Sequence, residues 1–135
     1  MPEFIVEAFS YHKDSIQAVK VNRNNKNEIL TGGLDNIFNL IRIDSGNNLF
    51  SKTYDETVAF VDWSNDGSKI IAGCLNNKIY VYENNEEEKF AELYVLEGFD
   101  EEITSMQTHP VGNILLASSM DGTIWLWNLN NGKVL

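Results

Sequence analysis

Cysteine is nearly absent from this chain of 135 residues: Cys74 is the single one. No internal disulfide can form, and with no Cys pair and no second His beside His109 the spacing of a zinc site is missing too. Cys74 ends the apolar run Ile70-Ile71-Ala72-Gly73-Cys74. A buried, reduced thiol there fits a cytoplasmic protein that also visits the nucleus. Positive charge is scarce as well. The chain has 10 Lys and Arg against 20 Asp and Glu, a formal net charge of −10. That argues against direct nucleic-acid binding, which needs a basic face. No stretch approaches the ~20 apolar residues of a membrane helix, so no membrane contact is expected. Met1-Pro2-Glu3-Phe4-Ile5-Val6-Glu7 lacks the basic start and apolar run of a secretory signal. Sustained 3.6-residue periodicity with caps is also missing. Neither a Gly-rich phosphate loop nor a Gly-x-Ser-x-Gly elbow occurs. No catalytic, cofactor-binding or metal-binding residue is assigned, and the chain reads as a non-enzyme.

What is present is a repeated hairpin. Ala117 to Asn128 reads as a strand end, a tight turn on Asp121-Gly122, and a second strand of alternating bulky residues. Asp-Gly between two β-prone runs is a strong hairpin signal, because Gly takes a positive φ without strain and Asp tolerates it. Leu34 to Ile41 and Leu75 to Tyr82 repeat the pattern. The turn residues Asp35, Asn76 and Asp121 are 41 and 45 residues apart. Ile16, Val58 and Ile103, each opening an alternating strand, keep the same phase at 42 and 45. Short strands, evenly spaced and bounded by Asn, Gly and Asp turns, predict an all-β fold.

Trp127-Asn128 sits where a WD repeat has its Trp-Asp dipeptide, and a period near ~40–45 residues is that of WD propeller blades. The expected architecture is a partial β-propeller of three tandem four-stranded blades. Residues 1–10 hold a terminal strand (Phe4 to Phe9) that closes the ring or forms an outer strand. Blade one covers 11–54, blade two 55–97, and blade three 98–135, cut short in its outer strand. Three blades do not close a ring, since propellers carry about four to eight. A chain that stops inside a strand is expected to be a piece of a seven- or eight-bladed ring. Bare blade faces are then expected to make the isolated piece self-associate.

Blade one offers His12, Thr31 and Asp35 in the positions where WD repeats carry a hydrogen-bonded His, Ser/Thr and Asp, but Ile41 replaces the Trp. Blade two offers Tyr54, Ala72, Asn76 and Tyr82, so its network is expected to be largely lost. Blade three has Phe99 in place of His, then Ala117, Asp121 and Trp127. A catalytic relay through His12 is one reading, and a buried network that satisfies polar groups is the one the repeat itself predicts. The alternating Trp63, Trp125 and Trp127 are expected between blades. His109, followed by Pro110, is read as a turn residue.

The loops before the first strand of each repeat carry the functional signal: Lys13-Asp14-Ser15, Asp55-Glu56-Thr57 and Asp100-Glu101-Glu102. Placed together, Asp14, Asp55, Glu56, Asp100, Glu101 and Glu102 would make a negative rim that takes a basic protein or peptide. Plain solubility explains the same charge, and the acidic run Glu83 to Glu88 is expected on the opposite face.

Several stretches are similar to one WD-repeat family in particular. They are His12-Lys13-Asp14-Ser15-Ile16, Thr31-Gly32-Gly33-Leu34-Asp35, Glu101-Glu102-Ile103 leading to Thr108-His109-Pro110, and Asp121-Gly122-Thr123-Ile124-Trp125-Leu126-Trp127. They resemble the angio-associated migratory cell protein family, whose fungal members include a dedicated chaperone of a large-subunit ribosomal protein. The departures are Ile41 and the absence of an acidic N-terminal tail. The resemblance implies a non-enzymatic scaffold in ribosome large-subunit assembly with a ribosomal protein as client. A generic WD adaptor in ubiquitin ligation, RNA processing or signalling is the alternative.

Overall fold

The computed structural model describes residues 9–84 and 89–135. Its regular elements are twelve strands: β1 Ile16–Val21, β2 Glu28–Gly33, β3 Ile37–Arg42, β4 Asn48–Thr53, β5 Val58–Trp63, β6 Lys69–Cys74, β7 Ile79–Glu83, β8 Ala91–Leu96, β9 Ile103–Thr108, β10 Ile114–Ser119, β11 Ile124–Asn128 and β12 Lys133–Val134. Each successive four form one antiparallel sheet in simple up-and-down order. No helix occurs among the described residues. The expected terminal strand falls mostly outside them, and Phe9 has no regular structure.

The phased turns fold alike for a local reason. Asp35, Asn76 and Asp121 each accept, through Oδ1, the amide two residues on: Ile37 at 3.2 Å, Lys78 at 3.1 Å and Thr123 at 2.9 Å. Such Asx bonds set the turn, a backbone bond closes it from Asn36 N–H to Gly33 O, Asn77 N–H to Cys74 O and Gly122 N–H to Ser119 O, and the residue after each Asx has a positive φ. It is Asn36 (68°), Asn77 (66°) and Gly122 (86°), the residue types that tolerate that region. A similar constraint trims the outer strand of the second sheet. Phe90 has φ 58°, and β8 starts at Ala91. The turn at Ser64 to Gly67 is closed by Asp66, whose Oδ1 accepts Ser64 Oγ at 2.8 Å and Ser68 N at 3.0 Å.

The core lies between sheets. Leu30, Phe38 and Leu40 of the first pack on Val58, Val61, Trp63, Ile70, Ala72 and Tyr82 of the second. Ile71, Ile79 and Val81 of the second pack on Ile103, Met106, Leu115, Ala117 and Trp127 of the third. Strand alternation makes this possible, because successive side chains point to opposite faces. Each sheet therefore buries one apolar face forwards and another backwards. Glycine lets the sheets close up: a Cβ on Gly32 would lie 2.5 Å from Val58 Cγ1 and 2.9 Å from Val58 O.

Candidate interaction surface

Each acidic loop is fastened to the turn of its own sheet by a backbone hydrogen bond. Leu34 N–H donates to Ser15 O at 2.8 Å, Leu75 N–H to Thr57 O at 3.0 Å, and Met120 N–H to Glu102 O at 2.9 Å. The loops lie at the end of each sheet where β1, β5 and β9 begin, and β5 packs beside both β1 and β9. Asp14, Asp55, Glu56, Asp100, Glu101 and Glu102 are all exposed, and none makes an ion pair among the described residues. They are not equally free. Asp55 Oδ1 accepts Asn76 Nδ2 at 2.8 Å, and Asp14 Oδ1 accepts the Ser15 amide at 2.7 Å. Lys78 stands at the same end, 4.0 Å from Glu97. Of the acidic run expected on the opposite face, Glu83 pairs with Lys69 at 3.4 Å, and Asn85 to Glu88 lie outside the described residues.

The polar side chains behind this surface differ from sheet to sheet. In the first, His12 Nδ1 lies 3.0 Å from both carboxylate oxygens of Asp35, and Nε2 lies 2.7 Å from Thr31 Oγ1. With the proton assigned to Nδ1, His12 donates to Asp35 and accepts from the Thr31 hydroxyl. Burial alone would raise the Asp35 carboxyl. Hydrogen bonds from His12 and from the Lys13 and Ile37 amides outweigh it and hold the carboxyl below its ordinary value. Every polar partner of this trio is internal, and the described residues hold no group of His, Cys, Asp and Glu arranged for a metal.

The WD domain, G-beta repeat family matches residues 48–83 and 90–128, more than half the chain. The chain belongs to the WD-repeat family. Each match begins on the outer strand of one sheet and runs through three strands of the next, so the sequence repeat straddles two blades. The angio-associated migratory cell protein of Homo sapiens is 27% identical over 125 residues, covering 92% of this chain and 28% of that protein. Pre-mRNA-processing factor 19 homolog 2 of Arabidopsis thaliana is 25% identical over 111 residues, covering 82% of this chain and 21% of its own length. This chain thus spans about a quarter of the curated relatives it matches. Two solved structures share the fold at 18% identity: "Structure of U3-55K" with TM-score 0.85 over 94% of this chain and 40% of that one, and "Crystal structure of RRP9 WD40 repeats" with TM-score 0.84 over 94% and 39%.

Against the WD pattern, the second and third blades have rebuilt their interiors. Blade two was expected to have largely lost its network, but it has a different one. The Tyr54 and Tyr82 hydroxyls meet at 2.5 Å, and Asn76 Nδ2 reaches Tyr80 Oη at 3.0 Å as well as Asp55. Burial, then the contact with Tyr82, raises the Tyr54 phenol far above its ordinary range. Burial likewise pushes the Cys74 thiol up to about 12, so it carries no thiolate at neutral pH. In blade three Asp121 and Trp127 are not joined. Asp121 binds the Thr123 amide and hydroxyl of its own turn, while Trp127 packs between Phe99 and Trp125 at centroid distances of 5.2 and 5.7 Å. Trp63 is buried between blades one and two and donates Nε1 to Lys20 O at 3.2 Å. His109 takes the Val111 amide on Nδ1 at 3.0 Å, closing its turn.

Two residues escaped the sequence reading. Asn39 is fully buried in β3, donates to Tyr11 O at 3.2 Å and accepts from Asn48 Nδ2 at 3.1 Å. Asp62 ties blade two to blade three through Thr108 N at 2.9 Å and Oγ1 at 3.2 Å. The available signal in both was a single polar residue inside an apolar strand.

Proposed function

We propose that this WD-repeat interaction scaffold holds a basic client on the rim formed by its acidic loops. The observation that carries the reading is the set of three loop-to-turn hydrogen bonds, made by Leu34, Leu75 and Met120 at the same end of every sheet. They support a common negative edge to which Glu56, Asp100, Glu101 and Glu102 contribute exposed carboxylates. WD-repeat proteins are generally non-enzymatic scaffolds, and the internal bonding of the His12, Thr31 and Asp35 trio favours a structural part for the site's one histidine. The client we favour is a ribosomal protein on its way into the large subunit. That choice rests on the resemblance to the angio-associated migratory cell protein family and on charge complementarity with a basic partner. The Arabidopsis relative, by its name a pre-mRNA-processing factor, supports a second reading, an adaptor in pre-mRNA processing.

Reversal of Glu56, Asp100, Glu101 and Glu102 to Lys tests the mechanism. Asp55 is left in place because it holds Asn76. Purification from cells should recover ribosomal proteins with the unaltered protein and lose them with the reversed one. Undiminished recovery would remove the acidic rim as the docking surface. Splicing proteins in place of ribosomal ones would select the second reading.

A further inference from the structure

At the end of the sheets opposite the acidic loops, where β1, β5 and β9 finish, three blades meet around a cleft of about 60 Å³. The fifth residue of each of those strands lines it: Lys20, Asp62 and Gln107. Arg23, Trp63 and Thr108 lie on its walls as well. The cleft belongs to junctions the chain makes itself, and hydrogen bonds between blades fix them. Trp63 Nε1 donates to Lys20 O at 3.2 Å, Asn24 Nδ2 to Asn65 O at 3.1 Å, and Thr108 N to Asp62 Oδ2 at 2.9 Å. The charge here runs against that of the whole molecule. Three of the 10 Lys and Arg fall between Lys20 and Lys26, and no Asp or Glu does. Neither Lys20 nor Arg23 pairs with a carboxylate among the described residues. Asp62 is the one acid among the described lining residues. Both its oxygens are taken, Oδ1 by the Trp63 amide and Oδ2 by Thr108.

We propose that this cleft takes one carboxylate side chain from an acidic peptide of a partner protein. Lys20 and Arg23, less Asp62, leave one positive charge in the lining, which a carboxylate matches. A phosphate, at about −1.5 to −2 near neutral pH, exceeds it. The Arg23 guanidinium offers a planar fork for two carboxylate oxygens, and the Lys20 ammonium offers a point charge. Trp63 supplies an apolar wall for the methylenes of a Glu. A nucleic acid needs a row of cations, and the net charge of −10 opposes it. That net charge is screened beyond about 8 Å at physiological salt, so the cleft's own charges govern a peptide already at its mouth. This inference is independent of the acidic rim and of any basic client.

Fluorescence anisotropy of a labelled Gly-Glu-Glu-Gly peptide added to the full chain tests it. The comparisons are the same peptide with Gln or with phosphoserine in place of Glu, and a short oligouridine. The Glu peptide should bind and the Gln peptide should not. Lys20→Gln and Arg23→Gln should each weaken binding about tenfold, the scale of a lost charge-assisted hydrogen bond. Both side chains are exposed, so neither change should disturb the fold. Lys26→Gln, on the same loop but outside the cleft, should leave binding unchanged. In an NMR titration with the Glu peptide the Trp63 indole N–H should shift, while that of Trp125, bonded to Thr123, should stay. Absence of binding, an equal loss from Lys26→Gln, or movement of Trp125 without Trp63 would each overturn the cleft as the site. Tighter binding of the phosphoserine peptide would overturn the choice of a carboxylate, and tighter binding of oligouridine the choice of a peptide.

Discussion

The same motif position carries different physics in different blades, and Asp35 and Asp121 show it. Both cap their turn through an amide two residues on. Asp35 also holds His12, which in turn holds Thr31 in a nearly closed interior. Removing one partner of a buried polar set leaves the others unsatisfied, at a cost of about 1–3 kcal/mol each. Asp35→Ala and His12→Ala should therefore each lower the urea midpoint markedly. Asp121→Ala removes an exposed carboxylate and should change stability by less than about 1 kcal/mol. Equal losses at the two aspartates would show that the trio adds nothing beyond the turn. Asp66 gives a second prediction at this scale. Hydrogen bonds from the Ser68 hydroxyl and amide, with Ser64 behind them, hold its carboxyl down to about 2 against an ordinary 3.8. A folded-state value below the unfolded one stabilises the fold in full above pH 3.8, and that contribution drains away as pH falls towards 2. Acid titration of the thermal midpoint should show this loss, and Asp66→Asn should reduce the drop across that window.

The strands and their phase were legible because they depend on local chemistry. Asx turns at Asp35, Asn76 and Asp121 need only their own residues and the next two, and strand alternation needs only the pattern of apolar side chains. What could not be read was how one blade answers another. Tyr54 and Tyr82 are 28 residues apart, and Asp62 and Thr108 are 46 apart. Those partners become visible only when the sheets stack. The acidic loops were readable as exposed, but the engagement of Asp55 by Asn76 was not, because it needs the loop and turn in one place. Gly32 belongs to the same class. Its sequence context resembles any strand end, yet its missing side chain is what lets Val58 approach. Gly32→Ala should cost about 1–3 kcal/mol through overpacking. Combining it with Val58→Ala should cost less than the two singles added, because the smaller side chain vacates the space of Cγ1. Strict additivity in a denaturation cycle would place the strain elsewhere.

At the scale of the whole molecule, a net charge of −10 acts at long range on any basic partner before contact is made. Exposed charges separated by more than a Debye length of about 10 Å at 0.1 M salt are largely screened, so steering by the acidic loops belongs to dilute salt. Rim charges act mainly on the rate of encounter, whereas desolvated pairs act mainly on dissociation. Glu56, Asp100, Glu101 and Glu102 are exposed and unpaired among the described residues, which places them in the first group. Association with a basic client should accordingly slow steeply as salt rises, with dissociation changing far less. Neutralising these four residues to Gln and Asn should flatten the salt dependence of the association rate and leave the thermal midpoint unmoved. Rapid-mixing kinetics over a salt series separate the two rates. An association rate indifferent to salt would mean that the client is recognised through apolar contact and not through the charges of the rim.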